Sequence, residues 1–443
     1  MTLLPSESSE GLSTDQAPPL SIPVSFFLTA PLFVVVAGFF LIVQNTAFAS
    51  RLMPGAMGVA HLGTLGFLGS VMLGALYQMT PVVAGIPVPG VRLAHGVHVG
   101  LVVGVSLLVH SFTTGHGSSF HLSAGCLGGV FLLFILPIAT ALLRAPTRSD
   151  TVTGLRIAVL GLIVVVAAGV LLALGRSGIT LPGLWMTWLA THISVGLLGW
   201  IGCLIVAVSW QVIPMFCLTA ELPRWSRKLT LGSAAVGIVG AVTVALVGLS
   251  PRWVALAFTP LALMIWLLHP ILAGYALFNR RRKRVDGSIR FWSTGLALAP
   301  LLLPVAGFVV FGLHPRWTLL FGWVALWGWA GLIVHGMLTR IIAFLIWFHR
   351  FAPLVGYVPV PPMRRIYPDG MIRIELALHL WTLALGVIAI VTSSSVMTVL
   401  TGIGMIAAGS ALFGSLLRAL SHRAPAVRPP VVEADPGGAA SGA

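Results

Sequence analysis

Residues 57–83 read MGVAHLGTLGFLGSVMLGALYQMTPVV, a stretch without Asp, Glu, Lys or Arg. A hydrocarbon core about 30 Å thick is crossed by a helix of roughly 20 apolar residues, so this segment predicts a transmembrane helix. The whole chain is similar: of its 443 residues 58% are hydrophobic and 8% are charged, and the mean hydropathy is +1.03. A soluble domain carries about 25% charged residues. The composition excludes a soluble globular protein and indicates an all-α integral membrane protein.

Eleven further apolar segments surround this one, which predicts twelve transmembrane helices in a single membrane domain over residues 22–420. The Pro-, Gly-, Ala- and Ser-rich tails, residues 1–21 and 421–443, are predicted to be disordered. The predicted spans are 23–44, 57–83, 91–112, 120–143, 155–174, 184–216, 229–249, 253–278, 291–313, 317–348, 371–393 and 396–420.

The distribution of Lys and Arg predicts the orientation. With twelve spans both termini lie on one side, and that side carries 20 of the Lys and Arg residues, against four on the opposite side. We call it the basic side. An excess of this kind marks the cytoplasmic face, so we expect a multi-pass protein of the bacterial inner membrane with cytoplasmic termini. The net charge of +15 then reflects topology and contact with anionic lipid, and the bilayer, not nucleic acid, is the expected partner.

A four-residue pattern occurs three times. Gly66-Phe67-Leu68-Gly69 recurs as Gly199-Trp200-Ile201-Gly202 and as Gly328-Trp329-Ala330-Gly331, at intervals of 133 and 129 residues. Each copy lies in the second span of a set of four, which indicates a threefold internal repeat. The sequence therefore predicts three four-helix arcs, about 22–144, 154–279 and 290–420, around a pseudo-threefold axis. The alternative is that these are generic small-residue packing motifs without a common origin.

This organisation resembles the catalytic subunit of the heme-copper oxidase superfamily, which includes cytochrome oxidases and nitric oxide reductases. The local match is to divergent relatives of the NnrS type and to stand-alone oxidase subunit I-like proteins. The NnrS-type match rests on His61, followed five residues later by Gly66-Phe67, and on Pro81. The match to the oxidase subunit I-like proteins rests on residues 331–355, which include Arg340. In that superfamily the second, sixth and tenth helices carry most metal ligands. The resemblance implies heme b, copper or both, used for electron transfer, gas sensing or tolerance of nitric oxide or oxygen.

Two departures from the superfamily argue against full oxygen or nitric oxide reduction. The seventh predicted span, 229–249, contains no His, although a complete copper-B site needs a His pair there. The repeat also places Trp323 opposite His61, where a low-spin heme requires its second axial ligand. The resemblance further implies cytochromes or other respiratory membrane subunits as partners, and a homo-oligomer.

Histidines and one arginine are the candidate cofactor and metal ligands. Imidazole binds copper, zinc and heme iron alike. The ordinary alternatives are a hydrogen-bonded interfacial or core His and an Arg that extends to the membrane surface. His335 also fits a proton relay. The candidate metal ligands are His61, His110, His116 and His121. The candidate cofactor-binding residues are His61, His192, His335 and Arg340.

All ten acidic residues lie in tails, in loops or near helix ends. Glu375 is the most intramembrane of them, and Arg373 stands beside it. Proton pumps and cation-coupled transporters place an acid deep in the membrane, so this distribution argues against ion coupling. The alternative to a redox or gas-binding protein is a cofactor-free membrane scaffold, or a permease for copper or heme.

Overall fold

The computed structural model describes residues 18–281 and 287–425. The described chain is 84% helical and contains no strand. Twelve of its helices are long and apolar enough to cross a membrane, as predicted. They are α1 (Ser21–Val43), α2 (Pro54–Ala84), α3 (Val91–Thr114), α4 (Gly117–Arg144), α5 (Asp150–Arg176), α6 (Trp185–Cys217), α7 (Arg224–Val247), α8 (Pro251–Phe278), α9 (Gly287–Val310), α10 (Arg316–Arg350), α11 (Asp369–Thr392) and α12 (Ser395–Ser421). Most of both predicted disordered tails, residues 1–17 and 426–443, lies outside the described residues.

The helix ends differ most from the predicted spans at α5 and α7, which both begin five residues earlier. Ser149 caps α5 by accepting a hydrogen bond from the Val152 amide, and Pro223 precedes the first turn of α7. Both first turns carry charged or polar side chains that a hydropathy count excludes. A side-chain cap therefore marks the start of α5, whereas α7 begins after Pro223 without one.

The helices that carry the repeated motif are the most buried. Of the 18 residues in the apolar stretch of each span, 67% are buried in α2, 78% in α6 and 72% in α10, against 22–50% in the other nine spans of the described chain. A buried helix in a membrane protein faces other helices rather than lipid. The motif therefore marks the inner helices of the bundle.

Each copy of the motif ends a π-helical segment. These segments are Leu62–Gly69 in α2, Val195–Gly202 in α6 and Val324–Gly331 in α10. The α10 segment contacts the other two, and each is also packed by the helix that precedes it, α1, α5 or α9. A shorter π segment, Met264–Leu268, lies in α8. Each of the three motifs thus lies at the end of a π segment in an inner helix. The division of the bundle into three arcs stays a prediction.

The second Gly of the motif has a local physical reason. A Cβ atom on Gly69, Gly202 or Gly331 would lie 3.0, 3.1 or 2.8 Å from the carbonyl oxygen five residues earlier. The wider π turn brings that oxygen against the Cα atom, so any side chain crowds it. The same requirement in three places explains why Gly recurs there.

We expect Gly331→Ala to lower the free energy of unfolding by about 1–3 kcal/mol, the usual cost of overpacking. Gly322→Ala in the same helix is the matched control, because a Cβ atom there meets no atom within 4 Å. The control should keep or slightly raise stability, since Ala is the better helix former. Thermal unfolding of both variants in detergent measures the difference. Equal midpoints would contradict the steric role of Gly331.

Candidate functional site

The structure brings together two of the candidate ligands, His61 of α2 and His192 of α6. Their ring centroids are 6.2 Å apart and their planes differ by 21°. Both side chains are partly buried. His61 immediately precedes the π segment of α2, and His192 lies one turn before that of α6. The packing of the two motif-bearing helices therefore sets the distance between the imidazoles.

Backbone carbonyls orient both rings. The Nδ1–H of His61 donates to the Met57 carbonyl oxygen at 2.8 Å, and the Nδ1–H of His192 donates to that of Val165 at 3.0 Å. A carbonyl only accepts, so each neutral ring carries its proton on Nδ1 and has its lone pair on Nε2. Neither Nε2 has a hydrogen-bond partner among the residues of 18–281 and 287–425. Metal-ligating His has this arrangement, with one nitrogen held by the protein and the other available.

The surroundings of the pair restrict ring movement. The ring of Phe112 lies 5.1 Å from that of His61. A Cβ atom on Gly169 of α5 would lie 3.0 Å from Cε1 of His192 and 3.4 Å from its Nδ1. Because residue 169 is a glycine, the ring of His192 has room in its present position.

The other three candidate metal ligands do not gather around His61. His110, His116 and His121 are exposed at and near the α3–α4 connection. The Nδ1–H of His121 donates to the Gly117 carbonyl oxygen, and its Nε2 lies 3.1 Å from Ser177 Oγ. Within the described chain no group of three or more His, Cys, Asp or Glu side chains is placed to hold a metal ion. A metal role for these three residues stays a prediction.

Arg340 extends towards the end of α6. Its Nη2 donates to the Phe216 carbonyl oxygen at 3.2 Å, and its guanidinium carbon lies 5.0 Å from the centre of the Phe216 ring. Arg340 thereby donates a hydrogen bond to one of the last carbonyl oxygens of α6. Such oxygens have no amide partner within the helix, because no further turn follows them. This contact is a structural role for the side chain, and cofactor binding by Arg340 stays a prediction.

His335 belongs to a buried polar cluster that the sequence did not predict. We define the α10–α11 cluster as His335, Tyr367, Glu375 and His379, whose exposed fractions are 2, 3, 1 and 0%. His335 Nε2 lies 3.2 Å from Glu375 Oε2, and the Tyr367 hydroxyl donates to Glu375 Oε1 at 2.8 Å. His335 Nδ1 lies 3.4 Å from Nδ1 of His379. Both nitrogens of His335 thus face protein partners, so it is not oriented as a metal ligand.

The cluster corrects the interpretation of the acidic residues. Glu375 is six residues into α11, about 9 Å along its axis, and it is buried. Arg373 lies on the exposed face of that helix, so it does not explain the position of the carboxyl group. The signal that identifies the site in the sequence is the i, i+4 spacing of Glu375 and His379, which places both on one helix face.

Two other intramembrane His side chains have local polar partners. His98 Nε2 lies 2.7 Å from Thr29 Oγ1, and His269 Nε2 lies 3.3 Å from Ser209 Oγ. Through Nε2 each His is thus bonded to a hydroxyl group, while Nδ1 of His269 is buried without a hydrogen-bond partner among the described residues.

The chain matches no protein-family model and no curated protein. The similarity to heme-copper oxidases therefore rests on the motifs and on the number of spans, and it stays a prediction.

We expect Glu375→Leu to destabilise the protein strongly, because it leaves Tyr367 and His335 without their shared hydrogen-bond partner in the buried cluster. An unpaired buried polar group costs about 1–3 kcal/mol. Glu221→Leu is the control, since the Glu221 side chain is 71% exposed. Thermal unfolding in detergent should show a clear drop for the first variant and almost none for the second. An unchanged midpoint for Glu375→Leu would mean that the cluster contributes little to stability.

Proposed function

We propose that this protein binds a transition metal through His61 and His192, as a copper ion or as the iron of heme b, for electron transfer or for sensing or tolerance of nitric oxide or oxygen. The observation that carries the proposal is the pair of carbonyl-oriented imidazoles on two inner helices, each with an available Nε2. Both residues are also candidates from the sequence alone.

The spacing of the pair fits a shared metal. Imidazole nitrogen binds such metals at about 2 Å, which puts the centres of two rings on one metal at most roughly 6 Å apart. The observed separation is 6.2 Å. Two neutral nitrogen ligands suit copper and heme iron better than magnesium or calcium, which prefer oxygen.

The protein's own residues then hold and tune the metal. Met57 and Val165 fix the tautomers of His61 and His192 through their carbonyl oxygens, which makes each Nε2 a better donor. Phe112 shields one ring from water. The bound metal supplies the electron transfer or the gas binding, while the chain determines its ligands and its dry surroundings.

We also propose a heme-copper oxidase-like arrangement of three four-helix arcs in the bacterial inner membrane, with cytoplasmic termini. The equivalent π segments of α2, α6 and α10 support the arcs. The Lys and Arg distribution supports the orientation. Since α7 contains no His, the arrangement lacks a complete copper-B site, so the proposed function is not oxygen or nitric oxide reduction.

Optical spectra and metal analysis of detergent-purified protein, produced with ample heme and copper, test the site. We expect either a heme absorption band or stoichiometric copper in the wild type, and its loss in both His61→Ala and His192→Ala. His98→Ala is the control, because this intramembrane His lies elsewhere and bonds to Thr29.

A retained signal in both ligand variants would refute the assignment to this pair. Wild-type protein that carries neither heme nor copper under these conditions would refute the proposal, and would leave the cofactor-free scaffold or permease.

Gly169→Ala should weaken metal binding without removing a ligand, because the new methyl group contacts His192 Cε1. Changes of this kind next to a ligand typically cost about 10–100-fold in affinity. Gly129→Ala, where a Cβ atom meets no atom within 4 Å, is the control. A metal titration that gives the same affinity for both variants would contradict the positioning role of residue 169.

A further inference from the structure

The α10–α11 cluster forms a continuous hydrogen-bonded chain. It runs from Tyr367 to Glu375, from Glu375 to His335, and from His335 to His379. It ends where His379 Nε2 meets the Trp327 carbonyl oxygen at 2.8 Å. Since this last partner is a carbonyl group, which only accepts, the position of each proton in the hydrogen-bonded cluster can be assigned one contact at a time, starting from Trp327.

The Trp327 carbonyl only accepts, so His379 carries a proton on Nε2. A neutral His379 then has a lone pair on Nδ1, which faces Nδ1 of His335 at 3.4 Å. One proton must lie between these two nitrogens, and it belongs to His335. A second proton there would place two donors against each other.

His335 with its proton on Nδ1 is neutral and has its lone pair on Nε2, towards Glu375 Oε2. An ionised carboxylate there would put two acceptors against each other at 3.2 Å. One more proton satisfies this contact, and the carboxyl group remains an acceptor for Tyr367 through Oε1. With that proton the cluster is uncharged, and every hydrogen bond has one donor and one acceptor.

We infer that the α10–α11 cluster is a proton-binding site inside the membrane, which holds one exchangeable proton between Glu375 and His335. In this uncharged arrangement the proton lies on Glu375, because a neutral acid and a neutral imidazole avoid the cost of burying two charges. The inference goes beyond the proposed metal site and does not depend on it.

The neighbouring elements add no further charge to the cluster. From α9, the Phe291 ring covers His335 at 4.4 Å. From α12, the uncharged side chain of Ser415 lies beside Tyr367. On α11 itself, Arg373 lies on the exposed face. In the part of the chain that the structure describes, the titratable groups in contact with the bound proton are therefore those of the cluster.

Tyr367 gives the site a route to one side of the membrane. It lies in the connection between α10 and α11, on the predicted basic side, outside both spans. Burial, reinforced by the hydrogen bond to Glu375, holds the pKa of Tyr367 well above its ordinary value, so the hydroxyl remains a neutral donor. When Glu375 is ionised, the Tyr367 oxygen can accept a proton from a hydronium ion while the hydroxyl passes its own proton to Oε1. Water is released, Tyr367 is unchanged and Glu375 becomes neutral, and a half-turn of the carboxyl group then directs the proton towards His335 Nε2. The protein can thus take up one proton from that side.

Infrared spectroscopy of the full-length protein in lipid nanodiscs tests the site. We expect the carbonyl stretching band of a carboxylic acid, which shifts in D₂O and is lost in Glu375→Gln. Glu221→Gln, at an exposed acid paired with Arg227, should retain the band. The inference would be overturned if the wild-type spectrum showed no carboxylic acid band, or if Glu375→Gln did not remove it.

Two further variants protect the test against misfolding and examine the route. Glu375→Asp keeps an acid, so it should move the band rather than remove it; loss of the band with the fold retained would overturn the inference. Tyr367→Phe should keep the band and slow its shift in D₂O. Exchange as fast as in the wild type would overturn the route through Tyr367. The infrared experiments can be done on metal-free protein, so their outcome does not depend on the outcome of the metal analysis.

Discussion

The structure depends on the close packing of α2, α6 and α10 at their π-helical segments. In lipid, burial of apolar surface does not drive helices together, so association relies on close contact and on small residues. A Cβ atom on Gly161 of α5 would lie 2.5 Å from the Gly199 carbonyl oxygen, and one on Gly38 of α1 equally close to that of Gly402 in α12. Helix α6 therefore meets α5 backbone to backbone, and α1 meets α12 in the same way, which leaves the bundle around the polar sites little freedom to move.

The same π segments position the chemistry. A π turn rotates the residues before it relative to those after it, which is why such turns often occur at functional sites. His61 directly precedes one segment and His192 lies one turn before another, so their rings meet although the α6 ligand is two residues out of register with His61 in the repeat. In the third segment Trp327 stacks on His379 at 4.2 Å. Each polar site thus borders a π segment.

Much of this could be predicted from sequence, because hydropathy and the Gly spacing follow directly from the physics of the bilayer. The twelve spans could be predicted in this way, and His61 and His192, whose rings meet, were both candidates from the sequence. The loop set His110, His116 and His121 stayed apart because sequence proximity says nothing about ring orientation. Glu375 was misjudged because it lies near the start of its span, where an acid normally faces water. Its partner His335 is 40 residues away, on another helix, and only tertiary packing identifies it.

The two polar sites occupy different depths, and this matters for charge. His61 stands eight residues before the last Gly of its motif and His335 four residues after the last Gly of its own. With the π segments in contact, this difference corresponds to about 18 Å along the bundle. When a metal inside a low-dielectric bundle changes its charge, the change costs free energy unless a compensating charge moves at the same time. A neutral acid that exchanges one proton with the basic side can supply that compensation without a permanent buried charge, which an Arg or Lys in its place would impose.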